Sequence, residues 1–357
     1  MTFEDFQKKL PKKTSEKFTA RYYGTRALNI FPQEFLNYVN ECSSFIDVTA
    51  GGGRFVYDQA LKGKLIGAND RCFYSYCAMF AVLKYHAAPS DWLKILWHET
   101  QPKYHRVLTG YFGGVTNTPV NLSTRQYIDA LCLRYGYHPF LLYCVGKAIR
   151  STFTFRGLGW CPMTPFGVLS SEVSPEYIHN FLMRTAWTTY LYASRLEKKP
   201  TSNCEVVGPG HEVYGCDALA TLKDGFTDEL INGSLVYADP AWPWLKGSFE
   251  TNPYRWLTED LSSILLQRPV KTEFWPKKEE VIFGTVHGWA SASLLRGAKY
   301  FVICNQDTNF PTLERTREFL SSLTDMKLVK WIEVEDQSKA AHRKYRTAWG
   351  VLSHVDY

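Results

Sequence analysis

The chain has 357 residues, 45% of them apolar, which is enough to bury a sizeable core and excludes a disordered protein. Its net charge is +6, and 22 Tyr, 22 Phe and 11 Trp make it rich in rings, a balance that suits a nucleic-acid partner because phosphates attract Lys and Arg while bases stack on aromatic faces. Nine cysteines without a Cys-x-x-Cys pair suggest neither a disulfide framework nor a zinc ribbon, and no leader or apolar run of about 18 residues is visible, so the expectation is a soluble, intracellular (cytoplasmic) protein with no membrane and no metal partner.

The first 20 residues, with Lys8, Lys9, Lys12, Lys13 and Lys17, read as a basic arm presenting a solvated face. From Phe45 the run Phe-Ile-Asp-Val-Thr alternates and predicts a strand, broken at Ala50-Gly51-Gly52-Gly53 and followed by a helical period over 55–61. Residues 64–70 predict a second strand ending in Asp70, and 74–86 a long helix. Residues 88–210 lack a clean period apart from helices over 126–133 and 175–196. Strands resume over 212–216, 234–239, 299–305, 327–335 and 347–353. The expected architecture is therefore α/β, a Rossmann-like doubly wound sheet built from 1–87 and 211–357, interrupted by a module at 88–210.

Two constellations carry chemistry. The first is Asp47-Val48-Thr49-Ala50-Gly51-Gly52-Gly53 with Asp70 at the end of the next strand. Glycines let a ligand approach the backbone after the first strand, and an acid on the second accepts hydrogen bonds from ribose hydroxyls. The spacing is not the dinucleotide Gly-x-Gly-x-x-Gly pattern and no Gly-Lys-Ser/Thr phosphate loop is present, which turns the reading toward S-adenosylmethionine.

The second is Leu235-Val236-Tyr237-Ala238-Asp239-Pro240-Ala241-Trp242. An apolar strand delivers a carboxylate at its carboxyl end, where open α/β sheets place ligands. Methylating an aromatic amine requires localising a delocalised lone pair. Asp239 and the Pro240 carbonyl can accept the two N–H bonds, and Trp242 offers a ring for stacking on the base.

In order and spacing these motifs resemble the Dam-like, alpha-type N6-adenine DNA methyltransferases, whose catalytic motif is Asp-Pro-Pro-Tyr or a close variant. The resemblance implies S-adenosylmethionine as cofactor, adenine in double-stranded DNA as substrate and residues 88–210 as the target-recognition module. It assigns catalysis to Asp239, Pro240 and Trp242. Cofactor contacts fall to Asp47, Thr49, Ala50, Gly51, Gly53, Asp70 and Asp239, joined by Tyr23, Gly24 and Arg26 in the segment Arg21–Arg26 and by Asp217 before the catalytic strand. Asn305 and the stretch Arg343–Trp349 match the family's closing strands. The sequence departs at Ala241 and Trp242 in the catalytic motif, at Arg26 where the family has Lys, and at Val48 and Thr49 where a proline and an aromatic are usual.

Within the inserted module, Arg125, Arg134, Lys147, Arg150 and Arg156 are candidates for phosphate or guanine-edge contacts, and 150–160 also reads as a hairpin packed on the core. Methylation of cytosine N4 or of RNA adenine fits the same carboxylate and carbonyl pair. A nucleic-acid-binding relative with a dead site fits Ala241 and the altered glycine motif.

Overall fold

A computed structural model describes residues 2–13, 31–84, 91–105, 110–153, 155–156, 159–160, 162–163, 167–197, 210–243, 245, 256–271, 277–338 and 343–355. The expected segment Arg21–Arg26, with Tyr23, Gly24 and Arg26, lies outside the described residues. The chain divides into two compact units. A sheet unit comprises Gly24–Arg71, Lys199–Phe249 and Glu273–Tyr357, and a helical unit comprises Met1–Tyr23, Cys72–Lys198 and Glu250–Thr272.

The sheet unit holds a seven-stranded mixed sheet. Its strands are β1 (Ser44–Asp47), β2 (Leu65–Asn69), β3 (Glu212–Tyr214), β4 (Leu235–Ala238), β5 (Tyr300–Gln306), β6 (Met326–Ser338) and β7 (Arg343–His354). They run in the order β3-β2-β1-β4-β5-β7-β6. The first five pair in parallel, while β7 is antiparallel to both β5 and β6. Every residue of β1 and of β4 is buried, as expected of central parallel strands covered on both faces.

Period-two alternation sorts their side chains. Ile46, Val236, Ala238, Phe301, Ile303 and Leu352 join one apolar cluster with helix Glu279–Leu295, which turns Ile282, Val286, Trp289, Ala290 and Leu294 toward it at helical spacing. Alternate residues Phe45, Tyr237 and Trp349 form an aromatic cluster with Phe31, Phe35 and Phe55, Phe35 coming from helix Gln33–Asn40 and Phe55 from helix Arg54–Leu61. Gly67 in β2 admits close packing, because a Cβ there would meet Phe226 at 2.9 Å and both Ile46 and Leu230 at 3.0 Å.

The helical unit differs in extent from the expected insertion. Helix Phe73–Leu83, expected within the catalytic domain, packs with helices Pro139–Thr152 and Pro175–Glu197. Tyr74, Cys77, Ala78, Met79, Ala81, Val82 and Leu83 are all buried, and an all-round apolar helix needs neighbours on every side. Gly146 makes this contact close, as a Cβ there would fall 2.7 Å from Tyr74. The aperiodic region contains helices Trp92–Glu99 and Leu122–Arg134 besides Pro139–Thr152. A two-stranded hairpin pairs Phe155–Arg156 with Gly159–Trp160. No helix among the described residues is long and apolar enough to cross a membrane.

Candidate functional site

The strand order reverses between β1 and β4: the chain steps outward from β1 through β2 to β3, then returns to the other side of β1. Open α/β sheets leave a ligand crevice at the carboxyl ends of the strands at such a switch point. Asp47 ends β1, Asp70 follows β2, and Asp239 follows β4.

The turn after β1 is built by its own backbone. Val48 N–H extends the ladder to the Tyr237 carbonyl at 3.0 Å, and Ala50 N–H reaches the Asn69 carbonyl at 3.0 Å. Gly51 and Gly53 have φ of 52° and 69°, the left-handed region that a side chain resists, and Gly53 caps helix Arg54–Leu61. Gly51 N–H donates to the Asp70 carboxylate at 2.7 Å, so the acid expected to meet ribose also braces the glycine turn.

Thr49 joins the two constellations. Its N–H donates to Asp47 Oδ1 at 3.0 Å, and its Oγ1 accepts the Asp239 N–H at 2.7 Å. The Thr49 hydroxyl thus tethers the peptide of Asp239.

Asp47 is only 4% exposed. Burial raises its pKa well above the ordinary carboxylate value; the Thr49 N–H opposes that shift, while the negative charges of Asp239 and Asp70 add to it. The charges of Asp70 and Asp239 therefore act on Asp47, and the strand-end carboxylates offer acceptors for N–H and O–H donors.

Asn69, missed by the sequence reasoning, organises the same edge. Fully buried, it donates through Nδ2 to the Val48 and Cys216 carbonyls, each at 3.1 Å. Its Oδ1 accepts the Cys216 N–H and the Thr221 hydroxyl, each at 3.2 Å. The available signal was an amide closing the apolar run Leu-Ile-Gly-Ala, since a buried amide must find several partners.

Asp217 is exposed and caps its own short helix, accepting the Leu219 and Ala220 N–H groups at 2.9 and 3.2 Å through Oδ1. Asn305 is a buried hub at the end of β5, donating to the Pro311 carbonyl and the Thr316 hydroxyl.

The structure places Trp242 apart from its expected stacking role. The ring is 4% exposed within the apolar cluster, and its indole N–H donates to the Cys304 carbonyl on β5 at 2.7 Å. A large ring gains more from burial with its N–H satisfied than from exposure beside a polar edge. Its backbone N–H closes a tight turn onto the Pro240 carbonyl at 2.8 Å, which occupies one lone pair of the expected amine acceptor.

Within the helical unit, Arg125 is a structural group. Its guanidinium donates to the Phe112, Gly113 and Val115 carbonyls, beside buried Asp129, which accepts the Phe112 and Gly113 N–H groups at 2.9 and 2.7 Å. Arg134 is exposed and lies over the Tyr135 ring, and Lys147 is half-buried over Tyr143. Arg150 is half-buried, and Arg156 is on the hairpin with its side chain outside the described residues.

No protein-family model and no curated protein matches the chain. Among the described residues, no group of three or more His, Cys, Asp or Glu is arranged to hold a metal ion.

Proposed function

We propose that this protein transfers a methyl group from S-adenosylmethionine to the exocyclic N6 of an adenine extruded from double-stranded DNA. The observation that carries the reading is the carboxylate edge, where Asp47, Asp70 and Asp239 stand at the ends of β1, β2 and β4 and the ionisation of Asp47 is opposed by its burial and by the charges of the other two. A cationic ligand rich in hydrogen-bond donors relieves that repulsion. When bound, S-adenosylmethionine supplies a methyl group on a positively charged sulfur, and its ammonium and ribose hydroxyls fit the same acceptor set.

In this reading Asp70 accepts from the ribose while holding the Gly51 turn. Asp239 and the second lone pair of the Pro240 carbonyl accept the two N–H bonds of the amine and localise its lone pair. Thr49 fixes the Asp239 peptide, and Trp242 braces the corner from the core. The doubly wound order with a reversed β7 supports the methyltransferase-type sheet implied by the family resemblance. Extrusion of the base is required because an amino group inside a stacked duplex cannot reach the cofactor.

The polyanion partner is supported by how charge divides between the units. The helical unit carries 21 Lys and Arg against 12 Asp and Glu, a net +9, whereas the sheet unit carries 20 against 23, a net −3. Burial of Trp242 favours one second reading, a nucleic-acid-binding relative that transfers nothing. Isothermal titration calorimetry with S-adenosylmethionine separates them. The proposed function expects saturable binding, weakened more by Asp70→Ala than by Asp239→Ala, and absence of binding by the unaltered protein favours the second reading.

A further inference from the structure

The basic N-terminal segment has no part in the carboxylate edge, yet it is built into the helical unit. Thr2 caps helix Phe3–Lys8 by accepting the Asp5 N–H at 3.2 Å, and the helix carries Glu4 and Asp5 in its first turn and Lys8 in its last, both favourable to its dipole. Phe3 and Phe6 are buried against Trp97, with ring centroids 5.9 and 4.7 Å away. Further along, the Trp187 indole N–H donates to the Pro11 carbonyl at 2.8 Å. The segment is thus held before Lys8 and again between Lys9 and Lys12.

Lys8, Lys9, Lys12 and Lys13 are all exposed, and none has an ion-pair partner among the described residues. The acids of the described segment, Glu4 and Asp5, sit in the first turn of the helix, where Asp5 accepts the Thr2 hydroxyl. Four ammonium groups on an anchored stretch repel one another, and the unit that carries them already has its large positive excess. A polyanion relieves that repulsion and gains entropy by releasing its condensed counterions. Phe3 and Phe6 are committed to the protein interior, so among the described residues the segment keeps no ring for insertion at a lipid surface.

We propose that the N-terminal segment is a fixed clamp for the phosphate backbone of duplex DNA, with Lys8, Lys9, Lys12 and Lys13 as its contacts. This rests on the nucleic-acid partner of the proposed function and adds the surface that meets it.

The test is fluorescence anisotropy of a labelled duplex without a chosen target sequence, titrated at several NaCl concentrations with the full-length protein and with its Lys8→Gln, Lys9→Gln, Lys12→Gln, Lys13→Gln combination. The clamp predicts weaker binding by the variant and a plot of log affinity against log salt shallower by about 3 to 4, near 0.9 per lost phosphate contact. Calorimetry with S-adenosylmethionine serves as the folding control and gives equal affinities. Equal salt slopes overturn the clamp, as does lysine-dependent binding to phosphatidylserine vesicles with no lysine dependence on duplex. A protein that methylates DNA with equal slopes loses the clamp alone. One that shows the slope change without methylating loses the proposed catalysis alone.

Discussion

At the scale of single residues, the tether from Thr49 to the Asp239 peptide is the feature most open to dissection. Thr49→Val keeps the shape and deletes the acceptor, leaving the Asp239 N–H at 2.7 Å without its oxygen. The expected cost is about 1–3 kcal/mol of stability, read by urea unfolding, together with a fall in methyl transfer that Thr49→Ser restores. Asp47 yields a pH prediction. Its folded pKa is raised, so between the ordinary carboxylate range and that raised value the folded state holds a proton that the unfolded state has lost. Its contribution to stability is therefore fully favourable below the ordinary range and is lost as pH rises through the folded value. Asp47→Asn should flatten this decline and raise the melting temperature at pH 8, while weakening binding of a cationic cofactor. A variant that melts lower at pH 8 and binds S-adenosylmethionine normally contradicts this account. The acids at strand ends were legible because each follows an apolar run at a turn. The placement of Trp242 was not, because its partner Cys304 lies 62 residues away and only the tertiary fold joins them.

Among the elements, the ends of the strands at the reversal point are held by one amide. Asn69→Ala removes the groups that meet the Val48 carbonyl and both the N–H and the carbonyl of Cys216, while the Thr221 hydroxyl keeps its bond to the Asp217 carbonyl. The expected loss is about 2–4 kcal/mol, larger than for an exposed asparagine, because several buried polar atoms lose partners together. Differential scanning calorimetry would measure it, and a shift within error of the unaltered protein would dismiss the clamp between β1, β2 and the segment after β3. Most strands of the large sheet were legible from alternation or from short apolar runs bounded by turn residues, with ends moved by a few residues. Helix Pro139–Thr152 was not, since its first turns, Phe-Leu-Leu-Tyr-Cys-Val, are an unbroken apolar run and its polar side is marked only further on, by Lys147, Arg150 and Ser151. The apolar sequence of Phe73–Leu83 likewise proclaims burial without naming the neighbours that supply it: the expected catalytic domain, 1–87, included this helix, which lies in the helical unit.

On the scale of the whole molecule, net charge of +6 conceals a division that composition alone could not reveal, because the two units interleave along the chain. A negative sheet unit bearing a carboxylate edge and a strongly positive helical unit suit different ligands, a small cation and a polyanion. That division and the Asp47, Asp70 and Asp239 arrangement together support the proposed methyl transfer to a base. Its most direct test is mass spectrometry of nucleosides after incubating duplex DNA with the protein and isotopically labelled S-adenosylmethionine. The account predicts labelled N6-methyladenosine in the deoxy series with the unaltered protein and none with Asp239→Ala. Label on cytosine N4, label undiminished in the Asp239 variant, or no label in any nucleoside would contradict it.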